Sequence, residues 1–304
     1  MRFLLLPALA LMFLAPVPVW TQDKKPDGPF MFTVRYGEHE RQVLDFYPVK
    51  SDTPTPLVLN IHGGGWQGGD KKLSPAAVKQ FHDAGLSVAS INYRYVKNGV
   101  EQKIEPPVKA PLEDAARALQ FIRFQAKEWN IDKKRIGATG GSAGGCSSLW
   151  LAFHDDMADP KSSDPIARES TRLYCAAVNV AQTSLDPKEL REWMPNYGYG
   201  GHAFGFGKFQ DYYDGREKVL KWIKEYSPIE HVSKDDPPIG LFYGGEQNVK
   251  VGDSPKDPTH SAILGIKLQE RCKAAGVDCV LVYPGHEEGG YKNSPQYLID
   301  RLRK

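Results

Sequence analysis

The sequence predicts an α/β protein with a mostly parallel sheet of eight strands flanked by helices. Short β-like runs alternate with helical patterns from about residue 30 to the end, and this alternation is typical of βαβ units. The 304-residue chain is 41% hydrophobic and 25% charged, so it is apolar enough to bury a core and too polar for a polytopic membrane protein. The same composition excludes a disordered tail and a collagen-like fibre.

The charges of the chain nearly cancel. The 39 Lys and Arg residues stand against 37 Asp and Glu residues, which leaves a formal net charge of +2. There is no long basic run and no aromatic RNA-binding signature. Without a strong positive field, the sequence does not predict a nucleic acid partner.

The first residues have the pattern of an export signal. Arg2 supplies a small positive region, and an apolar stretch from Phe3 to Ala15 is too short for a typical membrane span. We predict a signal peptide over residues 1–21 and a single domain over residues 22–304, and therefore a secreted or periplasmic protein without a stable membrane span after cleavage. Because the cleavage site is poorly marked, a retained anchor is the alternative.

The strands are predicted from alternation and from apolar runs. Residues 31–36 and 42–47 alternate apolar and polar side chains around Gly37, which favours an antiparallel edge hairpin. Six mostly apolar runs follow, each of which could be an interior strand of a parallel sheet. These runs cover residues 57–61, 87–91, 135–139, 176–180, 239–243 and 280–283.

Helical spacing of apolar residues occupies the gaps between these strands. The predicted helices cover residues 75–84, 111–130, 143–154, 261–275 and 295–302. Residues 183–235 fit no simple βα unit and are rich in aromatic residues and glycine. We interpret this segment as a cap inserted over one end of the sheet, whose rings either stack on a sugar or phenolic group or bury the insertion itself.

The cysteines and histidines do not predict a metal or a cofactor. No CxxC pair is present, and no cluster of His, Asp and Glu has the spacing of metal ligands. Cys272 and Cys279 flank a predicted turn, so a local disulfide between them is geometrically reasonable. Cys146 and Cys175 lie in apolar runs and are expected to be buried small side chains.

A candidate nucleophile lies between a predicted strand and a predicted helix. Gly140, Ser142 and Gly144 form a Gly-x-Ser-x-Gly pattern at this position. A serine on a strained strand-to-helix turn needs glycine two positions away on either side, because the backbone packs closely there. The context of the motif therefore predicts that Ser142 is the nucleophile of a hydrolase.

A glycine-rich loop follows the strand that ends at Ile61. Its sequence is His62-Gly63-Gly64-Gly65-Trp66. Backbone N–H groups in such a loop can stabilise the negative charge that builds on a carbonyl oxygen during acyl transfer. We expect Gly64, Gly65 and Ala143 to donate to this oxyanion.

With these two motifs the chain resembles the α/β-hydrolase superfamily, in particular its secreted carboxylesterases and acetylxylan or feruloyl esterases, which pair an HGGGW loop with a Gly-x-Ser-x-Gly elbow. The similarity extends from about Phe32 to the C-terminus and includes Tyr93 and Arg94 after the next strand. The resemblance implies an α/β-hydrolase fold with Ser142 as nucleophile. It also implies an acid after the seventh strand and a histidine after the eighth.

The acid departs from the family pattern. The family position after the seventh strand falls near Gln247, which carries no charge. Glu246 is adjacent, and Asp253 and Asp257 lie in a lengthened loop. We expect Glu246 to be the acid, with Asp253 and Asp257 as alternatives.

The position of the base also departs from the family pattern. The family position after the last strand is occupied by Glu288, and His286 lies two residues before it. His260, at the start of a predicted helix on the same edge of the sheet, is the alternative. We expect His286 to be the base for Ser142, because it follows the last strand as the family order requires.

These features predict a secreted serine esterase. The expected substrate is a small-molecule or polysaccharide ester, such as an acetyl or feruloyl ester on plant polysaccharide. One alternative is a catalytically inactive binding protein on the hydrolase scaffold, because the acid and the base are displaced. The other is a peptidase of the same fold, which is disfavoured because the chain shows no propeller-like domain to select peptides.

Overall fold

The computed structural model describes residues 30–304, which form one eight-stranded sheet flanked by helices. The sheet has the order β1-β2-β4-β3-β5-β6-β7-β8. Strand β2 pairs antiparallel with β1 and β4, and every other pairing is parallel. The strands are β1 Phe32–Arg35, β2 Val43–Tyr47, β3 Thr55–Ile61, β4 Ser87–Ile91, β5 Ile131–Gly141, β6 Cys175–Asn179, β7 Ile239–Phe242 and β8 Cys279–Val282. The predicted fold class and the predicted edge hairpin are confirmed.

Helices cover both faces of the sheet, which is why most side chains of its inner strands are buried. Leu57 and Leu59 of β3 contact the core shared with α3, α4 and α8, whereas Val58 faces α1 and α9. All three side chains are fully buried. The helices are α1 Pro75–His82, α2 Val96–Glu101, α3 Lys109–Phe124, α4 Ala143–Phe153, α5 Pro187–Trp193, α6 Phe209–Asp214, α7 Arg216–Tyr226, α8 Ala262–Ala275 and α9 Ser294–Leu302.

The segment 183–235 lies between β6 and β7 and contains helices α5, α6 and α7. Half of its ten aromatic side chains are buried, and Tyr197 and Tyr212 are about 1% exposed. The Tyr212 hydroxyl donates to the carbonyl of Leu185, which closes the segment on itself. These rings therefore bury the insertion, while Tyr199 and Phe206 remain partly exposed.

Three details differ from the sequence-based expectations. Helix α3 ends at Phe124 and not at residue 130, because a turn follows in which Asn130 has a positive φ of 55°. The short helix α2 has no apolar periodicity long enough to be recognised. Cys272 and Cys279 are free thiols, and all four cysteines are buried.

The predicted signal peptide over residues 1–21 lies outside the described residues. Over residues 30–304, none of the helices combines the length and the apolar character needed to cross a bilayer.

Candidate active site

Ser142 is held on a sharp turn between β5 and α4. Its backbone has φ 53° and ψ −124°, a conformation that costs energy in any residue with a side chain. A Cβ on Gly144 would lie 2.0 Å from the carbonyl oxygen of Ile61, and one on Gly140 would lie 2.5 Å from the same oxygen. The two glycines of the motif are therefore required, because β3 and the elbow are in direct backbone contact.

Three backbone N–H groups of the glycine loop and of the elbow lack an acceptor within the described part of the chain. They belong to Gly64, Gly65 and Ala143. Gly64 and Gly65 have positive φ angles of 102° and 60°, which turn the loop after β3 back toward the elbow. Ala143 is the first residue of α4, so its N–H has no partner inside the helix. The arrangement can bind a developing negative charge at the positive end of a helix.

The loop that carries Gly64 and Gly65 is fixed by side chains from three other segments. The indole N–H of Trp66 donates to the Ser147 hydroxyl of α4 at 3.0 Å. The hydroxyl of Tyr93 donates to the carbonyl of His62 at 2.7 Å. His202, from the insertion, contacts the carbonyl of Gly65 through Nε2 at 2.9 Å. The loop is therefore held rigidly in position, as stabilisation of an oxyanion requires.

Burial shifts the pKa values of two side chains of the insertion near this loop in opposite directions. Desolvation lowers the pKa of His202, so its imidazole stays neutral and donates from Nε2 to the Gly65 carbonyl. Desolvation raises the pKa of the Tyr199 hydroxyl, which also stays uncharged. A Cβ on Gly65 would lie 2.2 Å from that hydroxyl oxygen, so the insertion directly covers the glycine loop.

Ser142 is hydrogen-bonded to His260, and His260 is hydrogen-bonded to Asp257. The Oγ of Ser142 lies 2.9 Å from Nε2 of His260, and Nδ1 of His260 lies 2.8 Å from Oδ2 of Asp257. Since the carboxylate accepts from Nδ1–H, Nε2 carries the lone pair that accepts the serine proton. This is the geometry of a nucleophile, a base and an orienting acid.

Both partners of Ser142 come from one short segment ahead of α8. Asp257 precedes a 3₁₀ turn, Pro258–His260, which places the two side chains three positions apart on the same side. The Gln182 amide holds this turn by donating to the carbonyl of Thr259 at 2.7 Å. Ser261 then accepts from the N–H of Ile263 and begins α8 as its N-cap.

The structure corrects the expectation for the base. His260, which the sequence offered as the alternative, contacts Ser142, whereas His286 has no hydrogen bond to it. The backbone of His286 exchanges two hydrogen bonds with Tyr283, at 2.9 and 2.8 Å, and its ring stacks on the Tyr283 ring. Glu288 is held by the N–H of Leu281. The segment after β8 thus turns back on its own strand.

The expectation for the acid is corrected in the same way. Glu246 accepts from the backbone N–H of Lys256 at 3.2 Å, and Asp253 accepts from that of Lys250 at 2.7 Å. Neither carboxylate contacts an imidazole. Asp257, the other alternative from the sequence, is the carboxylate at His260. The Asp257-x-x-His260 spacing before a serine N-cap is the sequence signal that distinguishes this pair.

A cavity of about 440 Å³ opens beside His260 and Asp257. Val180 and Val249 supply apolar walls, and Glu246 and Lys256 line another part of it. This volume lies within the range of small-molecule sites. Within residues 30–304, the one group of three His, Cys, Asp or Glu side chains close enough to share a metal ion lies elsewhere, at His154, Glu225 and His231.

The sheet order, the strained serine between β5 and α4, and the glycine loop after β3 define the class of protein as an α/β-hydrolase. A comparison with known families identifies the family within this class. The BD-FAE family profile matches residues 44–255, which is more than half of the chain. The chain therefore belongs to the BD-FAE family.

Two curated proteins are also similar to this chain in sequence. A probable isoprenylcysteine alpha-carbonyl methylesterase of Arabidopsis thaliana is 30% identical over 231 residues, covering 74% of this chain and 45% of that protein. A probable carboxylic ester hydrolase of Mycobacterium tuberculosis is 25% identical over 232 residues, covering 69% and 46%. The chain thus spans less than half the length of these curated relatives.

A solved structure extends the comparison of the fold. The acetyl ester-xyloside bifunctional hydrolase from Caldicellulosiruptor lactoaceticus superposes with a TM-score of 0.67 at 22% identity. The match covers 92% of this chain and 98% of the other. At this identity the likeness is one of fold.

Proposed function

We propose that this protein is a serine carboxylic ester hydrolase with Ser142 as nucleophile, His260 as general base and Asp257 as the acid that orients it. The observation that carries the proposal is the continuous chain of hydrogen bonds, 2.9 Å from Ser142 to His260 and 2.8 Å from His260 to Asp257. The names of the curated relatives and the family match support the same chemistry.

The reaction follows from the positions of these groups. The Oγ of Ser142 attacks the carbonyl carbon of the ester while its proton moves to Nε2 of His260. The carbonyl oxygen becomes an oxyanion, and the N–H groups of Gly64, Gly65 and Ala143 donate to it. His260 then returns the proton to the departing alcohol. In the second half, His260 takes a proton from water while the water oxygen attacks the acyl carbon. The bond from that carbon to Oγ of Ser142 then breaks, His260 returns the proton to Oγ, and the acid departs.

Asp257 acts on the imidazole and does not touch the substrate. Its carboxylate accepts from Nδ1 of His260, which fixes the tautomer that leaves Nε2 free for the serine proton. It also stabilises the imidazolium that forms when the proton arrives. Because the Asp257 side chain is 64% exposed, solvent also contributes to stabilising the imidazolium.

The substrate we propose is a short acyl ester of a carbohydrate, such as an acetyl ester, or a hydroxycinnamoyl ester of plant polysaccharide, met outside the cytoplasm. The predicted signal peptide supports the location. The fold shared with an acetyl ester-xyloside hydrolase supports the substrate class. The cavity beside His260 has room for an acyl group or part of a sugar, and its opening to solvent suits a polymeric alcohol.

Hydrolysis of p-nitrophenyl acetate tests the proposal. We expect turnover with a burst of nitrophenol, and the loss of both in Ser142→Ala. His260→Ala is expected to lower kcat by about 10⁴-fold or more, whereas His286→Ala changes it less than about threefold. A loss of rate in His286→Ala with normal activity in His260→Ala would refute the assignment of the base.

A fluorophosphonate probe separates an enzyme from an inactive binding protein on the same scaffold. The probe reacts with a serine that is activated by a neighbouring base. We expect labelling of the wild-type protein and of His286→Ala, and strongly reduced labelling of His260→Ala. Absence of labelling in the folded wild-type protein would favour the binding protein.

A further inference from the structure

Two histidines and a glutamate meet at the end of α4 that is opposite Ser142. His154 follows directly after α4, Glu225 lies in the last turn of α7, and His231 ends the 3₁₀ turn Pro228–His231. Each offers one ligand atom, and all three atoms lie within 4.8 Å of one another. The spacing in sequence does not reveal this group, because 71 positions separate His154 from Glu225.

Each imidazole is anchored through one nitrogen to a backbone carbonyl. Nδ1 of His154 donates to the carbonyl of Asp155 at 2.9 Å, so that Nε2 points to the Glu225 carboxylate at 3.2 Å. Nε2 of His231 donates to the carbonyl of Glu225 at 2.6 Å. Its Nδ1 has no hydrogen-bond partner in the described part of the chain. Histidines that bind metals are typically held in this way, through the nitrogen that does not bind the ion.

The surroundings of the three side chains are well packed. The indole N–H of the buried Trp150 also donates to the Glu225 carbonyl, at 2.9 Å, and the Trp150 ring lies 4.7 Å from that of His154. Arg172 donates to the carbonyl of His154 at 3.1 Å. The rings of His154 and His231 lie 4.9 Å apart. The two imidazoles are therefore positioned by the fold, while the Glu225 side chain is 47% exposed and can adjust.

We propose that His154, Glu225 and His231 bind a divalent transition metal ion of the kind that prefers imidazole and carboxylate ligands, with Zn²⁺ as the test ion. Two histidines and one carboxylate are a known ligand set for zinc, which leaves a fourth position for water. Tetrahedral coordination needs ligand atoms about 3.4 Å apart. Nε2 of His154 and the Glu225 carboxylate already lie 3.2 Å apart, and all three ligand atoms lie within 4.8 Å of one another, so a shift of at most about 1.4 Å between His231 and the other two closes the site. Because the ring proton of His154 is on Nδ1, the ion binds the lone pair of Nε2, and this imidazole releases no proton.

The ion would stabilise the fold and take no part in ester hydrolysis. Helix α4 has 11 residues and therefore separates the two sites by about 16 Å. His154 belongs to the helix that starts at the nucleophile, whereas Glu225 and His231 belong to the insertion over residues 183–235. The metal would thus tie the insertion, which covers the glycine loop, to the helix that positions Ser142.

Isothermal titration of ZnCl₂ into the metal-free full chain tests this site. We expect one ion per chain, with affinity lowered at least about tenfold in His231→Gln. Glu225→Gln is the second variant, because it removes the carboxylate and keeps the backbone carbonyl that holds His231 and Trp150. The matched controls are His260→Gln and His286→Gln, which remove the other two histidines that lie near a carboxylate among the described residues.

Thermal unfolding gives an independent readout. Free Zn²⁺ about a hundredfold above its Kd is expected to raise the Tm of the wild-type protein by about 5 °C, and to raise that of Glu225→Gln much less. Metal-free His231→Gln should keep the wild-type esterase rate, so the outcome does not depend on the catalytic assignment. Any of three results would overturn the proposal. They are an unchanged Zn²⁺ affinity in both His231→Gln and Glu225→Gln, loss of Zn²⁺ binding in His260→Gln, and no Zn²⁺ binding to the wild-type protein.

Discussion

The close contact between the elbow and β3 allows a quantitative prediction for Gly144→Ala. The added methyl group would lie 2.0 Å from the carbonyl oxygen of Ile61 and 2.6 Å from that of His62. Ordinary contact begins at 3.4 Å, so the methyl group is about 1.4 Å too close to the Ile61 oxygen. Both obstacles are backbone atoms, which cannot rotate away as a flexible side chain can. Helix α4 and the end of β3 must therefore move apart.

Two effects of opposite sign determine the loss of stability. Overpacking at a site that cannot relax costs typically 1–3 kcal/mol, and this overlap belongs at the upper end of that range. Replacing glycine by alanine inside a helix contributes up to about 1 kcal/mol in the other direction. We therefore expect the free energy of unfolding of Gly144→Ala to fall by about 2 kcal/mol. The rate should fall further, because a displacement of about 1 Å at the reacting groups can cost about 100-fold.

Urea unfolding and hydrolysis of p-nitrophenyl acetate measure the two quantities on the same sample. Gly207→Ala is the matched control, because Gly207 has open space around it and no positive φ. It should stay within about 0.5 kcal/mol and twofold in kcat. If Gly144→Ala unfolds at the wild-type urea concentration and keeps the wild-type rate, the reasoning about the elbow is refuted.

Two further predictions concern the acid and the glycine loop. Asp257→Asn should lower kcat about 10³- to 10⁴-fold through the loss of the charge opposite His260, whereas Asp253→Asn should change it less than twofold; equal effects would contradict the assigned acid. The second concerns pH. Burial lowers the pKa of His202, so below about pH 6.5 the unfolded chain binds a proton that the folded chain does not, and stability falls as the pH falls. Between pH 7.5 and 5.5 the urea midpoint should therefore drop more in the wild-type protein than in His202→Gln. The glutamine side chain can still donate to the Gly65 carbonyl. An equal drop in both proteins would show that the fold does not lower the pKa of His202.

The parts of the site that lie within short segments could be predicted from the sequence. The Gly-x-Ser-x-Gly motif and the glycine loop each act through consecutive residues, so their composition carries the backbone geometry they need. The buried strands were recognisable for a similar reason, since a strand covered on both faces is mostly apolar. In the structure the loops after β3 and β5 begin at the same edge of the sheet, because Ile61 and Gly140 pair at the ends of these parallel strands.

The choice among the histidines and carboxylates depended on how two long loops fold. His286 follows the last strand, but the segment after β8 pairs with itself through Tyr283. His260 reaches Ser142 because a 3₁₀ turn, held by Gln182, orients it. None of these contacts joins near neighbours in sequence to Ser142, so the motif around Ser142 could not rank the candidates.

By itself the amino-acid sequence determined the sheet, the strained serine and the glycine loop after β3, because each depends on side-chain size and polarity over a few residues. Only the tertiary structure decided that His260 and Asp257 are the hydrogen-bonded partners of Ser142, and that His154 meets Glu225, 71 positions away, together with His231. The physical reason is that hydrogen bonds and metal ligation depend on distances of a few ångströms between side chains, which loop conformation and packing set.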